Sequence, residues 1–190
     1  MAQSNLLSVD WSQIPEPQDD GAAAHLTGTR LPDVALAATD GSSVTLRRLA
    51  GRTVLYIYPM TGQPGVALPE GWDDIPGARG CTPQSCAFRD HHAELRAASA
   101  DFVFGLSTQD TGYQREAAER LHLPFPLLSD ADLSFAHALK LPSMMVEGKT
   151  LLARMALIID DGVITKVFYP VFPPDRNAAD VLAWLKANPR

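Results

Sequence analysis

Cysteine is scarce in this chain, with two among 190 residues, and positive charge is in deficit. The 16 Lys and Arg residues are outnumbered by 22 Asp and Glu, which gives a net charge of −6. This balance excludes a protein that binds phosphate backbones through a basic surface. No apolar run approaches the ~18 residues of a membrane-spanning helix. We therefore expect neither nucleic acid nor a membrane among its partners.

The few cysteines also bear on where the chain works. Two are too few for the disulfide framework of a secreted protein of this length. The N-terminal stretch MAQSNLLSVDWSQIPEP lacks the basic and apolar regions of a signal peptide. Both observations favour a cytoplasmic protein. Residues 1–28 are polar and interrupted by proline and glycine, so we predict an N-terminal arm followed by one domain over residues 29–190.

Strand-like and helical segments alternate along that domain. A hairpin turning at residues 40–41 comes first, and the apolar run Val54–Tyr58 predicts a strand buried on both faces. Three helices and two further strands follow, then a second hairpin turning at residues 161–162 and a closing helix. Strands that alternate with helices indicate an α/β fold, and the late hairpin makes its central sheet mixed. We expect helices to flank that sheet.

Helix starts are predicted from the residues that cap them. Thr82 is the expected N-cap of the helix that carries both cysteines, with Pro83 at its first helical position. Thr111 and Gln114 have the spacing of a capping box for a later helix. The segment 141–152 has exposed-looking methionines and is predicted as a loop.

Residues 59–80 interrupt the alternation with four prolines, five glycines and no periodicity. Loops longer than ~12–15 residues are uncommon in compact domains and often bind ligands. This one joins a central strand to the cysteine-bearing helix, and ligands of open α/β sheets bind at that edge. We therefore place the functional site there. The apolar loop residues Val66, Leu68, Trp72 and Ile75 would admit a bulky substrate.

The two cysteines lie five residues apart in GCTPQSCAFRD. Cys81 lies just before Thr82, in the first turn of the helix or at its edge, where free N–H groups and the positive dipole end favour a thiolate. Cys86 lies inside the helix, with its Cα about 8.7 Å from that of Cys81 by helix geometry. A disulfide needs Cα atoms closer than about 7 Å, so an 81–86 disulfide requires the first turns to unwind. Inert packing of both thiols, or a zinc site, would be the structural alternatives.

Three segments together resemble a known family: YIYP (56–59), GCTPQSCAFRD (80–90) and RMALIIDDGVI (154–164). They resemble the peroxiredoxins of the AhpC/TSA superfamily, most closely the bacterioferritin-comigratory-protein or Q-type group. The resemblance implies a thioredoxin fold with an N-terminal β-hairpin. It also implies a thiol-dependent peroxidase for hydrogen peroxide and organic hydroperoxides, which needs no cofactor because sulfur carries the electrons.

The resemblance assigns roles to single residues. Cys81 matches the peroxidatic cysteine and Cys86 the resolving cysteine that forms an intramolecular disulfide with it. Arg154 matches the arginine that holds the thiolate and the peroxide oxygens. Pro59 matches the proline that shields the site.

One family feature is missing from this sequence. The family places Thr or Ser three residues before the peroxidatic cysteine and the proline seven residues before it. Here position 78 is Ala, and Pro59 stands 22 residues before Cys81. Thr61 follows two residues after the proline, and we predict that it folds back to supply the missing hydroxyl.

The resemblance implies thioredoxin as the reductant of the disulfide and leaves a glutaredoxin-like donor open. A monomer and a homodimer are both compatible with the sequence. Two functions of another class are alternatives. A thiol–disulfide oxidoreductase would share the fold but is disfavoured by the absence of C-x-x-C. A non-catalytic redox sensor would use the disulfide to switch the binding of a partner.

Overall fold

The computed structural model describes residues 8–190. The first seven residues of the predicted arm lie outside the described residues. They include the start of the stretch that lacks the features of a signal peptide. The rest of the arm packs on the domain. Ala23 and Leu26 are buried in its core, and the ring of Trp11 meets that of Phe172 edge-on, with 6.1 Å between centroids.

Nine strands form in residues 8–190: β1 Leu36–Ala38, β2 Ser43–Val44, β3 Arg52–Ile57, β4 Phe102–Ser107, β5 Leu127–Ser129, β6 Ser143–Val146, β7 Lys149–Leu152, β8 Met155–Asp160 and β9 Val163–Phe168. Seven of them make one sheet in the order β2-β1-β5-β4-β3-β8-β9, and β6 pairs with β7 in a separate hairpin. β3, β4 and β5 run parallel, whereas β1, β8 and β9 pair antiparallel. The expected mixed sheet is confirmed.

Within the described part of the chain, five α-helices accompany the sheet: α1 Cys81–Asp90, α2 His92–Ala97, α3 Thr111–Arg120, α4 Ser134–Leu139 and α5 Asn177–Ala187. Apolar side chains of α1, α2 and α5, such as Phe88, Leu95 and Leu182, pack with one face of the sheet. α4 and the N-terminal hairpin are buried with the other face. This is the thioredoxin fold expected from the sequence. No helix within residues 8–190 is long and apolar enough to cross a bilayer.

Strand register decides which residues meet at the edge of the sheet. All six residues of β3 are buried, as the apolar run predicts. Ile57, at the end of β3, pairs with Met155, at the start of the antiparallel β8. Residue 154 therefore lies beside the chain that leaves β3. The long loop 59–80 begins at the same edge and leads directly into α1.

Two local predictions are wrong. Asp110 caps α3 by accepting a hydrogen bond from the N–H of Tyr113, so Thr111 and Gln114 form no capping box. Asp110 has an extended backbone, so its carboxylate can reach the N–H of Tyr113 in the first turn. Thr111 is already part of the helix and cannot take this position. The segment 141–152, predicted as a loop, contains the β6–β7 hairpin.

Candidate active site

Cys81 is the first residue of α1 and is 4% exposed. The preceding Gly80 has a φ of 108°, a left-handed conformation that glycine adopts readily. A Cβ at this position would lie 2.6 Å from the ring of Trp11 and 2.7 Å from Pro174. Thr82, predicted as the N-cap, is instead the second residue of the helix, because the left-handed Gly80 takes the N-cap position and lets the chain turn into α1 two residues earlier. The sulfur thus lies at the positive end of the helix.

The guanidinium of Arg154 is a charged group in contact with Cys81. Its Nη2 atom lies 3.2 Å from Sγ, and the side chain is 2% exposed. The same nitrogen donates to the carbonyl oxygens of Gly77, Ala78 and Arg79, at 3.2, 2.9 and 3.2 Å. These backbone contacts tie the end of the loop to the guanidinium. A buried cationic donor at this distance stabilises negative charge on the sulfur.

Two buried amides hold the guanidinium from the other side. Nη1 of Arg154 donates to Oε1 of Gln84 at 2.5 Å, and Nε2 of Gln84 donates to Oδ1 of Asn177 at 2.9 Å. Sequence reasoning missed both amides. Gln84 follows Cys81 by three residues on a helix and so shares its face, which is a usable signal. The sequence contains no comparable signal for Asn177, because this residue lies 93 residues from Gln84 along the chain.

Cys81 otherwise has apolar and aromatic surroundings. It belongs to a buried cluster with Tyr56, Tyr58 and Phe88, and the rings of Tyr56 and Phe88 stack with 4.4 Å between centroids. Burial raises the pKa of both tyrosines well above the ordinary value. The phenols therefore stay neutral near pH 7 and do not compete with Cys81 for the charge of Arg154.

Cys86 is half-buried on the same unbroken helix, and both cysteines are free. Burial raises the pKa of the Cys86 thiol above its ordinary value, with the positive charge of Arg89 opposing the shift. The thiol is therefore protonated near neutral pH while α1 is intact. With residues 81 and 86 both helical, a disulfide between them requires α1 to unwind.

Pro59 and Thr61 are buried just beyond β3. The hydroxyl and the N–H of Thr61 both donate to Oε1 of Gln109, at 3.3 and 3.0 Å, and Nε2 of Gln109 donates back to the carbonyl of Thr61 at 3.2 Å. The carbonyl of Ala78 lies 3.6 Å from Sγ of Cys81. The structure thus engages the hydroxyl of Thr61 with Gln109.

We expect Thr61→Val to keep the rate of peroxide consumption within about twofold of wild type, because the lost hydroxyl contacts Gln109. Losing one buried hydrogen bond lowers the free energy of unfolding by ~1 kcal/mol. Stopped-flow consumption of hydrogen peroxide and thermal unfolding measure the two effects. A tenfold slower reaction in a folded variant would instead give Thr61 the role that the sequence predicts for it.

Two cavities lie beside the loop 59–80. The larger, of about 700 Å³, lies between the loop and the β6–β7 hairpin, and none of the five predicted site residues lines it. The smaller, of about 370 Å³, is lined in part by Arg154. Trp72 is buried against Val146 and Leu151 and so anchors the loop to the hairpin. Across residues 8–190, no group of three or more His, Cys, Asp or Glu side chains is arranged to hold a metal ion.

Comparison with known proteins places this geometry in a family. The sequence profile of the family described as Redoxin matches residues 26–182. The chloroplastic peroxiredoxin Q of Sedum lineare is 30% identical over 162 residues, which cover 84% of this chain and 77% of that protein. The chloroplastic peroxiredoxin Q of Oryza sativa subsp. japonica is also 30% identical over 162 residues, but the chain spans 66% of its length.

A solved structure agrees with these relatives. The crystal structure of peroxidoxin BcpB from Mycobacterium tuberculosis matches with a TM-score of 0.69 and 28% sequence identity, covering 86% of this chain and 98% of that chain. Cys81, Cys86 and Arg154 all lie inside the region matched by the family profile. The chain therefore belongs to the Redoxin family, and within it to the peroxiredoxin Q group.

Proposed function

We propose that this chain is a thiol-dependent peroxidase that reduces hydrogen peroxide and organic hydroperoxides at Cys81. The observation that carries the proposal is the 3.2 Å contact between Sγ of Cys81 and Nη2 of Arg154 at the start of α1. Membership of the peroxiredoxin Q group supports the same activity. A buried thiol beside a buried guanidinium is suited to an attack that leaves charge on a departing oxygen.

In the first step, the thiolate of Cys81 attacks one oxygen of the hydroperoxide ROOH. The S–O bond forms as the O–O bond breaks, and the other oxygen leaves as RO⁻. It takes up the proton that the Cys81 thiol lost on ionisation and becomes ROH, which is water when the substrate is hydrogen peroxide. Sulfur loses two electrons and becomes a sulfenic acid, while the peroxide gains them. Arg154 and the first N–H groups of α1 stabilise the departing oxygen. We assign to the buried Pro59 the shielding of the sulfur from water.

In the second step, Cys86 resolves the sulfenic acid. Its sulfur attacks the sulfur of Cys81, the S–S bond forms, and the sulfenic oxygen leaves as water after taking the proton of the second thiol. The first turns of α1 unwind to allow this. A dithiol then reduces the 81–86 disulfide by thiol exchange and is itself oxidised to a disulfide.

We propose thioredoxin as that dithiol, with a glutaredoxin-like protein as the alternative donor, and a cytoplasmic setting in which such dithiols are kept reduced. The net charge of −6 supports a protein that acts without nucleic acid or an anionic membrane surface. We expect the reduced protein to be a monomer or a homodimer, which sedimentation in solution distinguishes.

The deciding experiment adds one equivalent of hydrogen peroxide to pre-reduced wild type, Cys81→Ser and Cys86→Ser. We expect fast loss of peroxide in wild type and in Cys86→Ser, and no loss above buffer in Cys81→Ser. Mass spectrometry should find the 81–86 disulfide in wild type and a trappable sulfenic acid in Cys86→Ser. Slow loss, or loss that does not depend on Cys81, would overturn the peroxidase assignment.

The same preparations separate the two alternatives. A thiol–disulfide oxidoreductase would reduce the disulfides of insulin without consuming peroxide quickly. A redox sensor would react slowly with peroxide and would not turn over with a dithiol. Fast catalytic consumption of peroxide, with a dithiol as the reductant and with a requirement for Cys81, therefore excludes both alternatives.

A further inference from the structure

The smaller cavity is a cleft lined by residues that contact the reacting sulfur. Arg154 and Gly77 both line it, although Arg154 is 2% exposed. Nη2 of Arg154 donates to the carbonyl of Gly77 and to Sγ of Cys81, each at 3.2 Å. One residue of the cleft wall is therefore in direct contact with the sulfur. The larger cavity, lined by none of the predicted site residues, offers no such connection.

Arg154 also has an unused hydrogen-bond donor. Its Nε atom is buried and has no partner among the described residues. Buried N–H groups without partners are rare in folded proteins, and this one belongs to the guanidinium that contacts the sulfur, so it is available to a substrate oxygen that reaches Arg154. This donor is independent of the contacts that Nη1 and Nη2 make with the protein.

The walls of the cleft include an apolar part. It comes from the N-terminal arm, the loop 59–80, the β6 segment and the chain after β9, with Pro17, Pro76, Pro142, Met144, Pro170 and Val171. A volume of about 370 Å³ lies within the ~300–1,000 Å³ of small-molecule pockets. The apolar part is suited to an alkyl or aryl group.

A carboxylate also lines the cleft. Asp20 is exposed and accepts hydrogen bonds from the N–H of Ala22 at 3.0 Å and the hydroxyl of Tyr169 at 2.9 Å. These bonds hold the pKa of Asp20 below its ordinary value, so it is ionised near pH 7. Among the cleft residues of the described chain, Asp20 and Arg154 are the charged ones; Asp20 is exposed and Arg154 is buried.

We propose that hydroperoxides reach Cys81 through this cleft, and that Asp20 makes the site select uncharged organic hydroperoxides over anionic ones. The inference rests on the proposed peroxidase function. The apolar part of the walls receives the organic group, Arg154 receives the peroxide oxygens, and Asp20 repels a substrate that carries its own negative charge. The N-terminal arm, which supplies Pro17 and Asp20, thereby becomes part of the substrate site.

The test compares cumene hydroperoxide with its para-carboxylate, two substrates of similar size that differ by one charge. Rate constants for oxidation of the pre-reduced protein are measured in wild type and Asp20→Asn at low salt. Asn keeps an acceptor for Ala22 and Tyr169. We expect Asp20→Asn to lower the preference for the neutral substrate by about three- to tenfold, as one unit charge at close range predicts. At 1 M salt the difference disappears, because the Debye length falls to ~3 Å.

A matched control separates a local effect from a change in net charge. Asp40→Asn makes the same charge change at the exposed β1–β2 turn, outside the cleft, and should leave the ratio of the two rates unchanged. A second variant, Ala22→Phe, narrows the cleft and should slow cumene hydroperoxide by roughly fivefold more than hydrogen peroxide.

The outcomes distinguish the two proposals. If wild type consumes none of the hydroperoxides through Cys81, the peroxidase function fails and the inference with it. If wild type is an active peroxidase but Asp20→Asn leaves the ratio unchanged, or Asp40→Asn changes it equally, the assignment of Asp20 is overturned. If Ala22→Phe slows both peroxides equally, the cleft is not the route to Cys81.

Discussion

Arg154→Lys is expected to lower the second-order rate constant for oxidation of Cys81 by peroxide about 100- to 1,000-fold. Lysine keeps the charge, but its single nitrogen cannot lie 3.2 Å from Sγ of Cys81 and also satisfy Gln84 and the backbone carbonyls that end the loop. The planar guanidinium serves all of them at once. Stopped-flow measurement with hydrogen peroxide, at several concentrations, gives the rate constant.

Arg52→Lys is the matched control. Arg52 is also buried, at 5% exposure, and binds Asp160 through two nitrogens at 2.7 and 3.0 Å. It lies at the other end of β3 from the site. Its replacement should lower the midpoint of thermal unfolding but keep the peroxide rate within about twofold. If Arg154→Lys, still folded by circular dichroism, reacted within threefold of wild type, the guanidinium would have no part in the chemistry.

Most of the fold could be predicted because its signals are local. Residues 54–57, four of the six in β3, belong to one apolar run, and a strand buried on both faces favours that pattern. The two Asp-Gly pairs, at 40–41 and 161–162, give turns between adjacent antiparallel strands. In such segments, intrinsic propensity and burial favour the same structure, so tertiary contacts do not change the structure that the local sequence predicts.

The finer parts of the site depend on contacts between distant residues. The start of α1 depends on Gly80. This residue has a positive φ, and it has no side chain that would clash with Trp11 and Pro174. A threonine beside the helix is a good local cap, but the sequence does not reveal which backbone turn precedes it. The long loop likewise carries Thr61 to Gln109, 48 residues away. The spacing of residues along the chain does not predict such contacts between distant residues.

The contact between Asp20 and Tyr169 shows the same limit more clearly. The arm is polar and rich in proline, which is typical of a surface segment without a role of its own. Yet Asp20 accepts a hydrogen bond from a tyrosine 149 residues later and lines the same cleft as Arg154. Composition describes what the arm is made of, whereas only the fold shows what it covers.

Oxidation of the reduced protein by one equivalent of peroxide is expected to speed amide exchange at residues 82–87 by about 100-fold or more. In reduced α1 the two Cα atoms are about 8.7 Å apart, beyond the ~7 Å limit of a disulfide, so the first turns must open. The hydrogen bond from the N–H of Gln84 to the carbonyl of Gly80, 3.0 Å in the reduced helix, is among those lost. Hydrogen–deuterium exchange with mass spectrometry measures the change.

The opening should stop before Phe88, because its ring stacks on Tyr56 at 4.4 Å and is fully buried. Residues 89–97 therefore keep their protection. Unwinding also removes Cys86 from the burial that raises the pKa of its thiol, so the resolving thiolate forms more readily in the open state. The variant Cys86→Ser, treated with the same peroxide, forms the sulfenic acid but no disulfide, and its helix should remain protected. The contrary result would be an oxidised wild type that contains the 81–86 disulfide and still protects residues 82–87 from exchange. It would show that the disulfide forms without unwinding of α1.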